Sequence, residues 1–409
     1  VTGGEEVAVV PHDERALAAL RAVLRPSHVL PPDDIGLIVH DCGRELGARI
    51  GIVYVADYDQ VQLTPVCEPD AAAPVAIEGT IAGRAFTDVV QTMATGDDSI
   101  TLWTPVLDGT ERVGVLQLVF PDQPLDAGIK AAAEDVASLL AELLVTRGLY
   151  GDAIERTRRR TPMSVPAELQ WRLLPPLTFV SRRIAIAGVL APATEIAGDT
   201  FDYALNGDVA HVAIFDAMGH GLEAALLASV AVSTYRNARR AGQDLEATLR
   251  FIDAELAAQF GSDKFVTGIV GELDVSTGWW RWATCGHPPA LLVRDAKVVK
   301  ELDQVVCPPL GLRLLGTGTP LGSERLQPGD RLVLYTDGVP EARDEDGTFF
   351  GTQRLVEFVA RQSAAGRPAA ETMRRLSQAI LAHQAGSLQD DATTVMVEWL
   401  TPEAELSTS

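Results

Sequence analysis

No stretch of this sequence stays apolar for long. Charged residues interrupt every hydrophobic run well before the ~20 residues that a membrane-spanning helix needs. No basic-then-apolar leader is visible either; the start, VTGGEEVAVVPHDE, is acidic. A soluble, cytoplasmic protein with no membrane partner is the expectation. The chain opens on Val1 rather than Met, which leaves room for an upstream segment. Cysteine is scarce: Cys42, Cys67, Cys285 and Cys307 are the four in 409 residues, and none are spaced as CxxC. So few thiols exclude a disulfide framework and argue against a zinc site or redox motif. Buried thiols in a reducing compartment are the expectation. Positive charge is short as well, with 34 Lys and Arg against 56 Asp and Glu, a net charge of −22. Such a surface repels phosphate backbones and anionic headgroups, so nucleic acid is not an expected partner. The one basic cluster, Arg156, Arg158, Arg159 and Arg160, reads as a solvated helix or linker face; docking to an acidic surface is the alternative.

What is present is ordinary globular material: 47% hydrophobic and 22% charged residues. The length exceeds one compact core and predicts two or three domains. Residues 13–25 and 33–47 have helical apolar spacing, with Asp33 or Asp34 as N-cap. The period then changes to strands over 50–57 and 60–66. A short helix is predicted for 79–92. SITLWTPVL and VGVLQLVF form a hairpin around Asp108-Gly109. A long helix is predicted from about Leu125 to Leu149, with continuation through Arg160 as the alternative. The order of helices, hairpin, short helix, hairpin and long helix, with the segment IEGTIAGRAFTDVVQT, resembles a GAF domain over residues 13–150. That resemblance implies a small α/β sensor with an antiparallel sheet; similar modules bind a small molecule (cyclic nucleotides, haem or bilins) or nothing. His40 lies on a predicted helix and reads as a core or surface residue, not a haem ligand.

Residues 151–178 read as a connecting segment. Pro162, Pro166, Pro175 and Pro176 bound about two helical turns, AELQWRLLP, with Leu169, Trp171 and Leu173 on an apolar face. It is either a docking linker or a switch element between domains. From residue 179 to 400 strands are predicted at 183–190, 209–215, 265–273, 279–284, 290–294, 331–336 and 393–399. Helices are predicted at 220–241, 244–260, 352–361 and 368–384. This pattern predicts a layered α+β domain.

Four aspartate clusters punctuate that domain: EIAGDTFDY with Asp199 and Asp202, FDAMGHG with Asp216, LYTDGVPEARD with Asp337, and LQDDATTVMV with Asp390 and Asp391. An acidic residue that follows an apolar strand sits at the rim of a sheet. Gly219, Gly221 and Gly338 permit sharp turns and close backbone approach there. Carboxylates converging on one rim repel unless a cation neutralises them, and oxygen-only donors suit Mg²⁺ or Mn²⁺ rather than zinc. A pair of such ions can activate water for in-line attack on a phosphoryl group. One Asp before Gly is ordinary turn chemistry; four clusters at strand ends are a stronger pattern.

In this order the four motifs, together with LQWRLLPP upstream and CGHPPALL at 285–292, resemble the SpoIIE-type branch of the metal-dependent, protein phosphatase 2C-like superfamily. The resemblance covers about residues 167–400. It implies a four-layer α/β/β/α sandwich with a two-metal centre at one edge, holding two Mn²⁺ or Mg²⁺ ions. By that resemblance Asp199 is a metal ligand and Asp216 bridges both metals. The backbone carbonyl of Ala217 adds an oxygen, and Asp337 and Asp390 complete the set, with Asp391 as the alternate for the last place. Asp202 would hold a metal-bound water or stand behind the ligands. His220 would donate a proton or hydrogen-bond a metal water, and His287 is structural. Ala197 stands where the family usually has the first glycine of GGD, a change that a negative φ tolerates. Hydrolysis would be direct, through metal-bound hydroxide.

The resemblance further implies action on phosphoserine or phosphothreonine of a STAS-type anti-anti-sigma protein, in a partner-switching pathway. The sensor would regulate it, dimerising through the 126–160 helix. Two rivals are an inactive phosphatase-like scaffold that sequesters a partner and a ligand-sensing protein whose output is oligomerisation. LLGTGTPLG (314–322) lacks the lysine of a phosphate loop and reads as an ordinary loop.

Overall fold

The computed structural model describes residues 12–66, 72–191, 198–303, 306–384 and 391–400. It divides into two compact units, Val1–Arg160 and Thr161–Ser409. Among the described residues no helix is long and apolar enough to cross a membrane.

The first unit is a six-stranded antiparallel sheet with helices. In chain order it comprises α1 (His12–Ser27), α2 (Ile35–Glu45), β1 (Ile50–Ala56), β2 (Gln62–Pro65), β3 (Val75–Ala76), α3 (Ile81–Asp88), β4 (Thr92–Thr95), β5 (Ser99–Asp108), β6 (Glu111–Pro121), α4 (Ala127–Gly148) and α5 (Ala153–Arg158). The sheet order is β3-β2-β1-β6-β5-β4. Alternation along β1, β5 and β6 sends Val53, Leu102, Leu116 and Phe120 to one face, where they pack with Val39 of α2 and Leu140 of α4. Tyr54, Trp103 and Val115 point to the other face, against Phe86 of α3. The long helix ends at Gly148, within a residue of its expected limit at Leu149, and does not continue through Arg160. The chain turns through Leu149–Asp152, and the short α5 folds back on the same unit. The arginine cluster keeps Arg156 and Arg160 exposed, as a solvated face would, while pairing with groups of the same unit. Arg156 pairs with Asp33 at 3.1 Å, Arg158 lies over the Tyr58 ring at 4.4 Å, and Arg160 approaches Asp57 at 3.7 Å. His40 is exposed.

The second unit begins with α6 (Val165–Leu173), capped by Ser164, whose hydroxyl accepts from the Ala167 amide at 3.2 Å, and stopped before Pro175. Next come β7 (Thr178–Val180), β8 (Ile184–Ala191), β9 (Asp199–Asn206), β10 (Val209–Ala217), α7 (Gly221–Arg240), α8 (Leu245–Phe260), β11 (Val266–Asp274) and β12 (Trp279–Cys285). Then follow β13 (Leu291–Arg294), β14 (Lys297–Glu301), β15 (Val306–Cys307), β16 (Gly322–Arg325), β17 (Arg331–Tyr335), α9 (Gly338–Glu341), α10 (Gly351–Ala364), α11 (Ala369–His383) and β18 (Ala392–Trp399). One sheet runs β15-β12-β11-β10-β9, with β16 beside β12; the other runs β14-β13-β17-β18-β8-β7.

Each central strand is apolar on both faces, and that builds the layers. Val212, Ile214, Ile269 and Trp282 of the first sheet meet Ile186, Leu334, Val395 and Val397 of the second in a shared core. Gly188 lets the sheets close: a Cβ there would stand 2.3 Å from the Phe201 ring. Outside the first sheet, Phe215 and Val270 pack on Leu227 of α7 and Ile252 of α8. Outside the second, Val333 and Met396 pack on Val359 of α10 and Leu376 of α11. The result is the expected α/β/β/α sandwich. Burying each such Leu, Ile or Phe stabilises by about 1.5–3 kcal/mol.

Candidate functional site

The carboxylates gather where β9, β10, β17 and β18 end. Asp199 opens β9 and pairs in register with Asp216 near the end of β10. Thr336 follows β17, and Thr393 lies at the start of β18; their backbones bond at 3.0 Å. The Thr336 hydroxyl donates to Asp199 Oδ2 at 2.6 Å and accepts from the Thr393 amide at 3.0 Å. Asp391 Oδ2 accepts from the Asp199 amide at 3.2 Å. Asp199 and Asp391 are each 3% exposed. Burial pushes the Asp199 carboxyl well above the usual carboxylate range. The charges of Asp216 and then Asp391 push the same way, against the hydrogen bonds of Thr336 and Thr393.

Gln170 of α6 reaches into this cluster. Its Nε2 donates to the Asp199 carbonyl at 2.6 Å and to Asp391 Oδ2 at 3.1 Å. One amide thus joins the entry helix to both strands. Glycine makes the close approach possible: a Cβ on Gly338 would stand 1.8 Å from the Asp391 carbonyl oxygen. After Asp216 the chain turns through Gly219 (φ 92°) and Gly221 (φ 73°), both left-handed, before α7 starts.

The expected site residues that fall among the described ones now have places. Asp199 and Asp216 face each other across adjacent strands, and Asp391 bonds to the Asp199 backbone. Asp337 is exposed, follows Thr336 directly and is the N-cap position of α9. Ala217 is buried, and its amide donates to the Gly198 carbonyl at 3.1 Å. His220 is exposed at the N-cap position of α7 and its side chain makes no capping bond. Asp390 and Ala197 lie outside the described residues. Among the described residues no group of three or more His, Cys, Asp or Glu side chains stands ready to hold a metal ion.

Asp202 departs from expectation. Its carboxylate is fully engaged by two guanidinium groups, Arg236 (Nη2 at 2.6 Å) and Arg239 (Nη1 at 2.7 Å). Arg236 also donates to the Leu173 carbonyl at 2.5 Å, so the buried ion pair anchors the end of α6. Asp202 points to α7 because strand alternation turns it away from Asp199 and Phe201. His287 is 7% exposed, with Nδ1 3.0 Å from the Thr267 hydroxyl, and burial drives its pKa down to about 3. Thr267 is the register partner of Asp216, so His287 is a neutral structural group behind that strand.

The donor chemistry fits a hard divalent cation. Every candidate ligand is oxygen, and the buried Asp199 carboxylate carries a repulsion that such an ion would remove. Sequence reasoning missed Gln170 and Thr336. Gln170 sits in LQWRLLPP among residues read only for their apolar face. Thr336 adjoins Asp337 in YTDG, and a hydroxyl that ends a buried strand was the available signal.

Residues 206–400 match the family model of stage II sporulation protein E (SpoIIE). The chain is 24% identical over 405 residues to protein IcfG of Synechocystis sp., covering 91% of this chain and 60% of IcfG. It therefore spans under two thirds of that relative's length. Phosphoserine phosphatase RsbU of Bacillus subtilis is 23% identical over 295 residues, covering 69% of this chain and 83% of RsbU. The solved RsbU and RsbW domains of Rv1364c from Mycobacterium tuberculosis share 30% identity over 54% of this chain and 62% of that one, with a TM-score of 0.45. The match to the SpoIIE family model falls wholly within the second unit of this chain.

Proposed function

We propose that the chain is a Mn²⁺- or Mg²⁺-dependent serine/threonine protein phosphatase. The observation that carries this reading is the buried Asp199 carboxylate with Asp216 and Asp391 acting on it from neighbouring strand ends. Asp199, Asp216, Asp337 and either Asp390 or Asp391, with the Ala217 carbonyl, would hold two ions. When bound, the ions would supply Lewis-acid activation of water and neutralise charge on the phosphoryl oxygens. The chain's own groups do the positioning. Thr336 orients the Asp199 carboxylate, Gln170 holds its backbone, and Gly198 leaves room beside the Ala217 carbonyl, where a Cβ would come within 3.2 Å of that oxygen. His220, exposed at the start of α7, is available to pass a proton to the leaving serine or threonine oxygen.

The substrate we infer is phosphoserine or phosphothreonine on a STAS-type regulatory protein. The likeness to a phosphoserine phosphatase supports that choice. The first unit is read as a GAF-like sensor that takes a small ligand and dimerises. Gln170 and Arg236 make α6 a suitable switch, since its movement would disturb Asp199 and Asp391 together. Turnover of a phosphorylated STAS protein, measured with and without Mn²⁺, tests the activity. Metal-dependent release of phosphate that Asp216→Ala abolishes is expected. Removing residues 1–160 should alter both turnover and oligomeric state; no change in either removes the regulatory reading.

The alternative reading is a phosphatase-like scaffold that sequesters its partner without turnover. Tight binding of the STAS protein without phosphate release at any Mn²⁺ concentration would establish it.

A further inference from the structure

Cysteine is used in an unexpected way in the second unit. Cys285 ends β12, where the chain leaves the first sheet. The chain then contributes the β13–β14 pair to the second sheet before β15. Cys307 ends β15, the strand on which the chain rejoins the first sheet, and it is the direct register partner of Cys285 on parallel neighbours. The excursion therefore begins and ends on two facing cysteines. The Gly286 amide donates to the Cys307 carbonyl at 2.9 Å and fixes the two backbones together.

Adjacent strands lie about 4.8 Å apart, and a disulfide spans Cα separations of roughly 4.4–6.8 Å. A direct register pair therefore falls within the Cα range that a disulfide spans. The two thiols act on one another across this register pair, the Cys307 pKa falling as that of Cys285 rises. Cys307 in turn lies 3.7 Å from the Pro320 carbonyl. Both are buried, and Val306 beside Cys307 is 70% exposed, so the pair sits just beneath the surface. Cys42 provides the contrast. It is buried on α2 with its thiol donating to the Val39 carbonyl, and burial pushes its pKa up to about 12.

We propose that Cys285 and Cys307 are a redox-active dithiol, which a hydroperoxide-class oxidant closes into an intrachain disulfide that staples the β13–β14 excursion to the first sheet. The Cys307 sulfur attacks a peroxide oxygen; the O–O bond breaks, a sulfenic acid forms and the first water leaves. The Cys285 sulfur then attacks the Cys307 sulfur; the S–O bond breaks, the S–S bond forms and a second water leaves. The two thiols lose two electrons and two protons, and hydrogen peroxide is reduced to two waters. The hydrogen bond from Cys285 stabilises a Cys307 thiolate, pulling its pKa below that of an ordinary thiol while that of Cys285 is raised. That asymmetry makes Cys307 the attacking sulfur.

The test uses the full folded chain. It is titrated with hydrogen peroxide, quenched, alkylated in denaturant and mapped as peptides without reduction. The expected result is loss of two hydrogens, one cross-link joining the peptides of Cys285 and Cys307, and full alkylation of Cys42 and Cys67. A thiol reductant should restore four alkylated cysteines. In Cys285→Ser the Cys307 sulfenic acid should persist and react with dimedone. Cys42→Ala should form the same cross-link as the parent chain. Recovery of Cys285 and Cys307 as thiols, or oxidation to sulfonic acid without a link, at doses that leave Cys42 reduced would overturn the proposal. Mapping of the parent chain decides the matter even where a variant misfolds, and it makes no use of phosphatase activity.

Discussion

Gln170 offers the sharpest test of how α6 is tied to the carboxylates. Its amide is 2% exposed and donates twice, to the Asp199 carbonyl at 2.6 Å and to Asp391 Oδ2 at 3.1 Å. A neutral bond of this kind contributes about 0.5–1.5 kcal/mol, and one to a charged group about 1.5–3 kcal/mol. Gln170→Ala loses both and should cost about 2–4 kcal/mol. Gln170→Glu keeps the shape but turns a donor into a carboxylate facing Asp391, so it should cost more than the alanine. Urea unfolding followed by tryptophan fluorescence measures this well. Trp171, Trp279, Trp280, Trp282 and Trp399 all lie in the second unit, and only Trp103 lies in the first. If both variants unfold within about 0.5 kcal/mol of the parent, on the scale of a single surface change, the bonds do not couple α6 to the site.

Three further outcomes follow from the same geometry. Gly338→Ala forces a Cβ to 1.8 Å of the Asp391 carbonyl, and overpacking against backbone should cost about 3 kcal/mol or more; an unchanged melting temperature would contradict it. Asp202→Ala leaves Arg236 and Arg239 without their buried partner and should destabilise by about 3–5 kcal/mol, while Mn²⁺ affinity of the folded fraction, measured by calorimetry, stays unchanged. Asp199 has a raised pKa when folded, so between the ordinary carboxylate range and that raised value the native state binds the extra proton. Metal-free protein should therefore lose stability as pH rises through that window. Mn²⁺ should restore it, and Asp199→Asn should flatten the slope in denaturation curves.

Much of the second unit was legible because its central strands are continuous apolar runs that end on aspartate. β10, β11 and β17 fall within a residue or two of their expected limits. β9 was not read as a strand, since DTFDYALN alternates only weakly and its aspartates drew a motif reading instead. The edge strands β14 and β16 are short and polar, as solvated edges are, and carry little periodic signal. In the first unit the end of the long helix near Leu149 was legible, while Arg156–Arg160 continue a helical pattern and left a continuation open; the chain instead turns at Gly151 and those arginines pair with Asp33 and Asp57. For the site, the aspartates were visible as residues at strand ends. The roles of Gln170, Thr336 and Asp202 were not, because each depends on which partner a polar side chain meets across strands far apart in sequence.

The central claim is that Asp199, Asp216 and their neighbours bind a pair of divalent cations. Calorimetric titration of Mn²⁺ into the full chain tests it most directly, with Asp216→Ala titrated alongside. Two bound ions in the parent chain and loss of binding in the variant are the predicted result. Absence of saturable binding in the parent, or identical isotherms for both proteins, would contradict the account.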